Sequence, residues 1–170
     1  MLANFEQRDT SGAERVWTGL YRNLHNLPHW HLENELICVE QGTVTVSHNH
    51  QEYTLTAGES IFLASGEIHY IKSDPDSITA ITLFDVALTA DLTSHYQLCC
   101  AKLSGSYPIL DTFSKIQKER TLKKPFFEDV VLCNFLQILA VIARYHQQIL
   151  SPLGNDFSID RLIMQLNQRY

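Results

Sequence analysis

Between residues 15 and 84 short apolar runs recur every eight to ten positions, at 15–20, 35–40, 43–48, 53–56, 60–64, 68–72 and 78–84. Gln41-Gly42, Asn49 to Gln51, Ala57-Gly58-Glu59, Ser65-Gly66-Glu67 and the stretch from Ser73 to Ser77 separate them. These residues supply the positive φ angles and fixed proline that tight turns need. The runs also alternate. In TVTVSH, Val44 and Val46 share a face, as do Tyr53 and Leu55 in YTLT. Strands at this spacing predict an antiparallel sandwich or small barrel. After Asp85 the period lengthens, and the pattern predicts helices over 89–98, 107–120 and 125–150. Glu128 and Asp129 suit the first turn of the third helix, and Ser151-Pro152-Leu153-Gly154 stops it.

The third helix carries apolar residues over more than one stripe. One face is expected to pack on the strands. The remainder implies either a helix sandwiched inside its own domain or a subunit contact, with Val131, Phe135, Ile138, Leu139 and Ile142 as the residues predicted to form a homodimer. The segment 157–170 reads as a further amphipathic helix, with Ser158 as cap and Ile159, Leu162, Ile163 and Leu166 on one side.

The 170 residues are 45% hydrophobic and 19% charged, which fits one globular domain and excludes disorder or collagen-like repetition. Such a chain buries enough apolar surface to fold without disulfides or a structural metal. Its formal charge of -6 repels phosphate backbones, so the chain by itself is a poor nucleic-acid binder. The basic positions Lys115, Lys118, Arg120, Lys123 and Lys124 read as a solvated helix end. The N-terminus lacks the apolar stretch of a signal peptide, and the longest apolar run, 138–143, is too short to span a bilayer. A cytoplasmic protein with no membrane partner is expected, its four cysteines reduced and mostly buried.

Eight histidines are the compositional oddity. His29 and His31, in PHWHLENE, project to one side of a strand. On a straight strand Glu35 would lie roughly 13 Å beyond His31, too far to share a metal. A bend at 32–34 would turn its carboxylate back toward the imidazoles, and His69 is a fourth candidate ligand. Ile37 and Val39 continue the series of Glu35, so a mostly apolar cavity with a polar cluster at one end is predicted. Tyr53, Phe62 and Tyr70 are candidates to stack on a ligand there. His48 and His50 fall in a turn without an acidic companion and are expected at the surface.

His-x-His, three residues, Glu, six residues, Gly from His29 to Gly42 resembles the first motif of the cupin superfamily, and Gly58 to His69 resembles the second. Asn23 and Ala64 stand where that pattern has glycine and proline. The resemblance implies a double-stranded β-helix, or jelly-roll barrel, followed by two or three α-helices. His29, His31, Glu35 and His69 would converge inside it as a metal site. From Pro28 to Tyr70 the chain is further similar to the effector-binding half of AraC-type transcription regulators. This implies a barrel over 1–105, a helical dimerisation segment over 106–156, and at 157–170 the start of a connection to a DNA-binding half absent from this chain. The effector-binding residues implied are His29, His31, Glu35, Ile37, Val39, Phe62 and His69, with no catalytic residue. No cofactor is required, although imidazole and carboxylate suit divalent Zn, Ni, Fe or Mn. The partners implied are a small-molecule effector, a second copy of the chain, and DNA through the absent half alone. The alternatives are a free-standing metal-dependent cupin enzyme, a dioxygenase or isomerase, and a structural dimer with a vestigial pocket.

Overall fold

The computed structural model describes residues 3–7, 15–90, 98–103 and 108–149, with side chains of the last helix placed as far as Tyr145. The described strands are β1 (Asn4–Phe5), β2 (Val16–Arg22), β3 (His29–Trp30), β4 (Asn34–Gln41), β5 (Thr43–His48), β6 (Gln51–Thr56), β7 (Ser60–Leu63), β8 (His69–Ser73), β9 (Ile78–Phe84) and β10 (Ala101–Leu103). Two helices follow, α1 (Ile109–Leu122) and α2 (Phe127–Ile149). The strands form two five-stranded sheets, β1-β3-β8-β5-β6 and β10-β7-β4-β9-β2. This is the predicted jelly roll with helices after it. Of the expected helices, 89–98 meets a short 3-10 turn at Val86–Thr89 and otherwise largely falls, as does 157–170, outside the described residues.

Turn chemistry fixes the strand connections. Asn49 and His50, at φ 47° and 63°, form the two-residue hairpin loop between β5 and β6, where both central residues need positive φ. Gly42 joins β4 to β5 at φ 78°, and a Cβ there would meet Ser77 Oγ at 2.6 Å and Ser77 Cα at 2.9 Å. Ser77 Oγ in turn donates to Thr43 O at 2.9 Å. The glycine is therefore required twice, for its dihedral angle and for the approach of the next turn.

Alternation sorts the apolar side chains into two cores. Between the sheets lie Ile37, Val39, Val44, Val46, Leu55, Ile61, Leu63, Ile71, Ile81 and Leu83. On the outer face of the second sheet, Val16, Leu36, Cys38, Phe62, Ala80 and Phe84 meet Ile109, Phe113 and Ile116 of α1 and Val131, Phe135, Ile138 and Ile142 of α2. The chain is thus three layers, sheet on sheet on helices. Phe84 links the last two, its ring centroid 4.6 Å from that of Phe135.

This packing corrects the expected subunit contact. Val131, Phe135, Ile138 and Ile142 are buried in the chain's own core, and Leu139 packs partly buried against them. Spaced by four, three and four residues, they are the stripe that faces the sheet. The exposed apolar residues of α2 are on the opposite side, at Val130 and Leu136. Arg120 is a second correction. Rather than standing in solvent, it donates from Nη1 to Thr18 O at 2.8 Å and lies over the Trp17 ring.

Truncating Phe135 to Ala removes a ring with no exposed surface and should cost about 3–5 kcal/mol. Leu136→Ala, one residue away on the solvent side, should stay within about 0.5 kcal/mol. Urea unfolding of the two variants checks the assignment of the helix faces.

Candidate functional site

The histidine cluster is assembled from both sheets and one bend. β3 carries His29, which sits directly across the ladder from His69 on β8. The next rung pairs His69 with His48, the last residue of β5. From the opposite sheet β4 supplies Glu35, and His31 stands in the connection between β3 and β4. That connection bends where the sequence predicts, and two contacts hold it. His31 O accepts from Gly66 N at 2.9 Å. Asn34 bridges the loops, its Nδ2 donating to Thr89 Oγ1 at 3.2 Å and its Oδ1 accepting from Ser65 N at 3.0 Å.

His29, His31, Glu35 and His69 are all buried, and one ligand atom from each falls within a sphere in which no pair is more than 4.8 Å apart. The Nε2 atoms of His31 and His69 each lie 2.9 Å from Glu35 Oε2. Behind them, the three Nδ1 atoms face backbone carbonyls two residues away: His29 faces Leu27 O at 3.0 Å, His31 faces Glu33 O at 3.0 Å, and His69 faces Glu67 O at 2.9 Å. A neutral imidazole has a single N–H. When Nδ1–H is donated to the carbonyl, the Nε2 lone pair points inward at a carboxylate oxygen, and a cation between them satisfies both. This is the outer support that metal-binding histidines ordinarily have. Bonds of about 2.1 Å would bring the four ligand atoms to separations of roughly 3 to 4 Å with small adjustments. The four residues therefore fit a divalent transition metal.

Without a cation, the rings instead donate from Nε2 to Glu35. Burial pushes the Glu35 carboxyl upward, but hydrogen bonds from His31 and His69 and their charge outweigh it and hold the carboxyl well below its ordinary value. Burial likewise lowers His69, yet its bond to Glu35 leaves it raised overall. His29 is lowered, by burial first and by the neighbouring His69 second. Glu35 is thus a persistent negative charge inside the barrel.

Three predicted site residues are placed differently. Phe62 is not in the barrel interior. On β7, Ile61 and Leu63 face the opposite sheet, and Phe62, paired with Leu36, turns to the helices. Ile37 and Val39 do share the face of Glu35, but they are closed into the core between the sheets with no exposed surface, so that end of the barrel is filled. Tyr70 points away from the interior, its hydroxyl 3.5 Å from Glu52, while Tyr53 is half-buried beside the inter-sheet core. A cavity of about 180 Å³ lies instead outside the barrel, between β2 and the start of α2, lined by Arg15, Arg120, Phe127 and Asp129 among others.

His48 is a further correction. It is buried rather than at the surface, and burial and then His69 lower its pKa. His50 is exposed as expected. Glu67, overlooked as a turn residue, has three tasks. Its carbonyl faces the His69 ring, its Oε2 accepts from Ala64 N at 2.7 Å, and its Oε1 accepts from Cys100 N at 2.9 Å and lies 3.4 Å from His48 Nε2. A glutamate one residue after a turn glycine, followed two residues later by histidine, is the signal that marks it. Of the cysteines, all free, only Cys38 is buried, and burial raises its thiol to about 12.

Residues 20–101 match the family model of the AraC-like ligand-binding domain. Over this stretch the barrel is similar to the AraC-like ligand-binding domain. Among solved structures, apo ToxT of Vibrio cholerae is similar over 78% of this chain and 57% of its own, at 10% identity and a TM-score of 0.56. An RmlC-like cupin of Shewanella frigidimarina is similar over 42% of this chain and 67% of its own, with 19% identity and a TM-score of 0.39. Oxalate decarboxylase of Bacillus subtilis is similar over 43% of this chain and 22% of its own, with 17% identity and a TM-score of 0.37. A search of curated sequences returns no match. The ToxT likeness agrees with the fold, and the stretch that matches the family model contains the four converging side chains. Among the described residues no helix is long and apolar enough to cross a membrane.

Glu67→Ala would leave the Ala64 and Cys100 amides without their acceptor and should destabilise the chain by about 1–3 kcal/mol. Faster hydrogen exchange at Cys100, together with a lower urea midpoint, is the expected result.

Proposed function

We propose that the AraC-like domain is the effector-sensing part of an AraC-type transcription regulator, and that His29, His31, Glu35 and His69 hold a divalent metal at which the effector docks. The observation that carries this reading is the convergence of three imidazoles and one buried carboxylate inside a ligand-binding barrel. Bound there, the metal would supply a Lewis-acidic anchor for an oxygen or nitrogen of the effector. The protein's own residues do the rest. Leu27, Glu33 and Glu67 carbonyls fix the three rings by their Nδ1 atoms, and Glu35 balances part of the charge. The filled end between Ile37 and Ile81 closes the barrel behind the site.

A sensor needs a route out of its site, because an effector shifts an equilibrium only by binding two arrangements differently. Glu67 provides that route. It touches His69 through its carbonyl and the Cys100 amide through its carboxylate. Cys100 leads into β10, whose Ala101 and Leu103 pack under α1 and α2. A change at the histidines therefore reaches the helical layer through one side chain. The exposed face of α2, with Val130, Cys133, Leu136 and Ala140, supports pairing with a second copy, and DNA contact would belong to a further domain.

Chelator-stripped protein should take up one equivalent of Zn, Ni, Mn or Fe. His31→Ala or His69→Ala should lower that affinity by more than about ten-fold and remove effector-induced thermal stabilisation found in a metabolite screen, with the strand signal kept. Metal uptake and stabilisation unchanged in both variants would defeat the proposal. Turnover of a substrate by the metal-loaded chain would favour the cupin-enzyme alternative.

Val130→Glu and Leu136→Glu test the subunit contact. Both residues are exposed, so the fold should tolerate the charge while sedimentation shifts from dimer to monomer. A dimer that persists in both would place the contact elsewhere.

A further inference from the structure

A second carboxylate approaches the histidines, and it comes from the start of the chain. β1 runs parallel to β3, with Asn4 opposite His29 and Phe5 opposite Trp30. Asn4 N donates to Pro28 O at 3.0 Å and Glu6 N to Trp30 O at 2.9 Å, while the Phe5 and Trp30 rings lie 4.6 Å apart. This attachment brings Glu6 Oε2 to 3.4 Å from His29 Nε2, with 42% of the Glu6 side chain still exposed. The Nε2 atoms of His31 and His69 face Glu35; that of His29 faces Glu6.

Counting charge gives this placement a meaning. A divalent cation on three neutral imidazoles and one carboxylate keeps one positive charge, which dominates the local field in a buried site. One further carboxylate balances it. Glu35 is buried, its Oε2 2.9 Å from the Nε2 atoms of His31 and His69, so it belongs to the fixed set. Glu6 directly follows the two-residue strand β1, and 42% of its side chain is exposed. The first is built in, and the second is exchangeable.

We propose that the effector of this site bears a carboxylate, and that Glu6 is the internal carboxylate it displaces. The inference rests on the metal-holding reading above and adds the ligand class to it. Glu6 sets the threshold for the ligand: as long as it occupies the position beside His29, apparent affinity falls by the fraction of time the position is open. A neutral ligand would gain nothing from evicting Glu6, because the remaining charge would be left unbalanced. Eviction would also remove a tether of β1, coupling ligand binding to the strand that covers β3.

The test uses the full chain loaded with Zn²⁺, titrated with acetate and, as the uncharged control, acetamide. Glu6→Gln and Glu6→Ala should both bind acetate about ten-fold more tightly than the parent, the gain expected if the position is open roughly a tenth of the time, and acetamide should show no gain. In the parent, acetate should speed hydrogen exchange at the Glu6 amide, and the visible spectrum of the Co²⁺-loaded protein should change on adding acetate. Equal acetate affinity in parent and variants, acetamide binding as well as acetate, or no acetate binding to any of them would overturn the inference while Zn²⁺ uptake remained intact. Zn²⁺ uptake that is missing, or insensitive to His31→Ala, would instead remove the reading on which it rests, and the inference with it.

Discussion

The buried carboxylate of Glu35 is the constraint around which the rest of the barrel is arranged. An ionised carboxylate taken out of water is costly unless it is paired and hydrogen-bonded. Here two imidazoles from different elements reach the same oxygen at 2.9 Å. One comes from the connection before β4 and the other from β8 in the opposite sheet, so satisfying the charge requires the two sheets to close on each other at this end. Away from it ten buried apolar side chains pack between them. The barrel is held by hydrophobic packing at one end and by an electrostatic knot at the other. Only the second can respond to a charged or coordinating ligand.

That division explains which parts of the chain were legible in its sequence. β2 and the strands from β4 to β9 follow from their apolar runs and turn residues, because every such strand has at least one face against a core. Three of the four converging residues could be read because their order, His-x-His and then Glu after a bend, is set within seven positions of the chain, and His69 because the stretch from Gly58 to His69 resembles a second motif. Phe62 was misplaced because β7 is buried on both faces, Ser60 through Leu63 alike. A strand with no polar face shows its composition but hides which side looks inward. The stripe on α2 was misassigned for a similar reason. A helix apolar around most of its circumference does not reveal which face meets its own sheet and which a partner.

His48, Glu67 and Glu6 were missed for other reasons. For His48 the signal was available: Val44 and Val46 point into the barrel, and two residues further His48 must do the same. Its neighbours Asn49 and His50 drew it into the turn. Glu67 stands in a segment that reads as an ordinary tight turn, and its value comes from Cys100, thirty-three positions later. Glu6 depends on a parallel pairing between two-residue strands, each too short to leave a periodic pattern. Contacts made by single side chains across long sequence separations are the part of a site that local pattern cannot supply.

The filled end of the barrel also fixes where any ligand must act. Behind the histidines, Ile37, Val39 and their neighbours have no exposed surface, and opening a space among them would forfeit well-packed contacts. Under the proposed function a ligand would meet the protein near Leu32 and Ile68, each the next residue to a clustered histidine, which are exposed, as are Phe5 and part of Glu6. The segments on that side are β1, the bend between β3 and β4, and the turn carrying Glu67. None of them belongs to the apolar core, and each reaches the cluster through one or two polar contacts. Under that reading, occupying the site would perturb segments outside the apolar core. Under the proposed function, the Cys100 connection would carry that movement toward the helices.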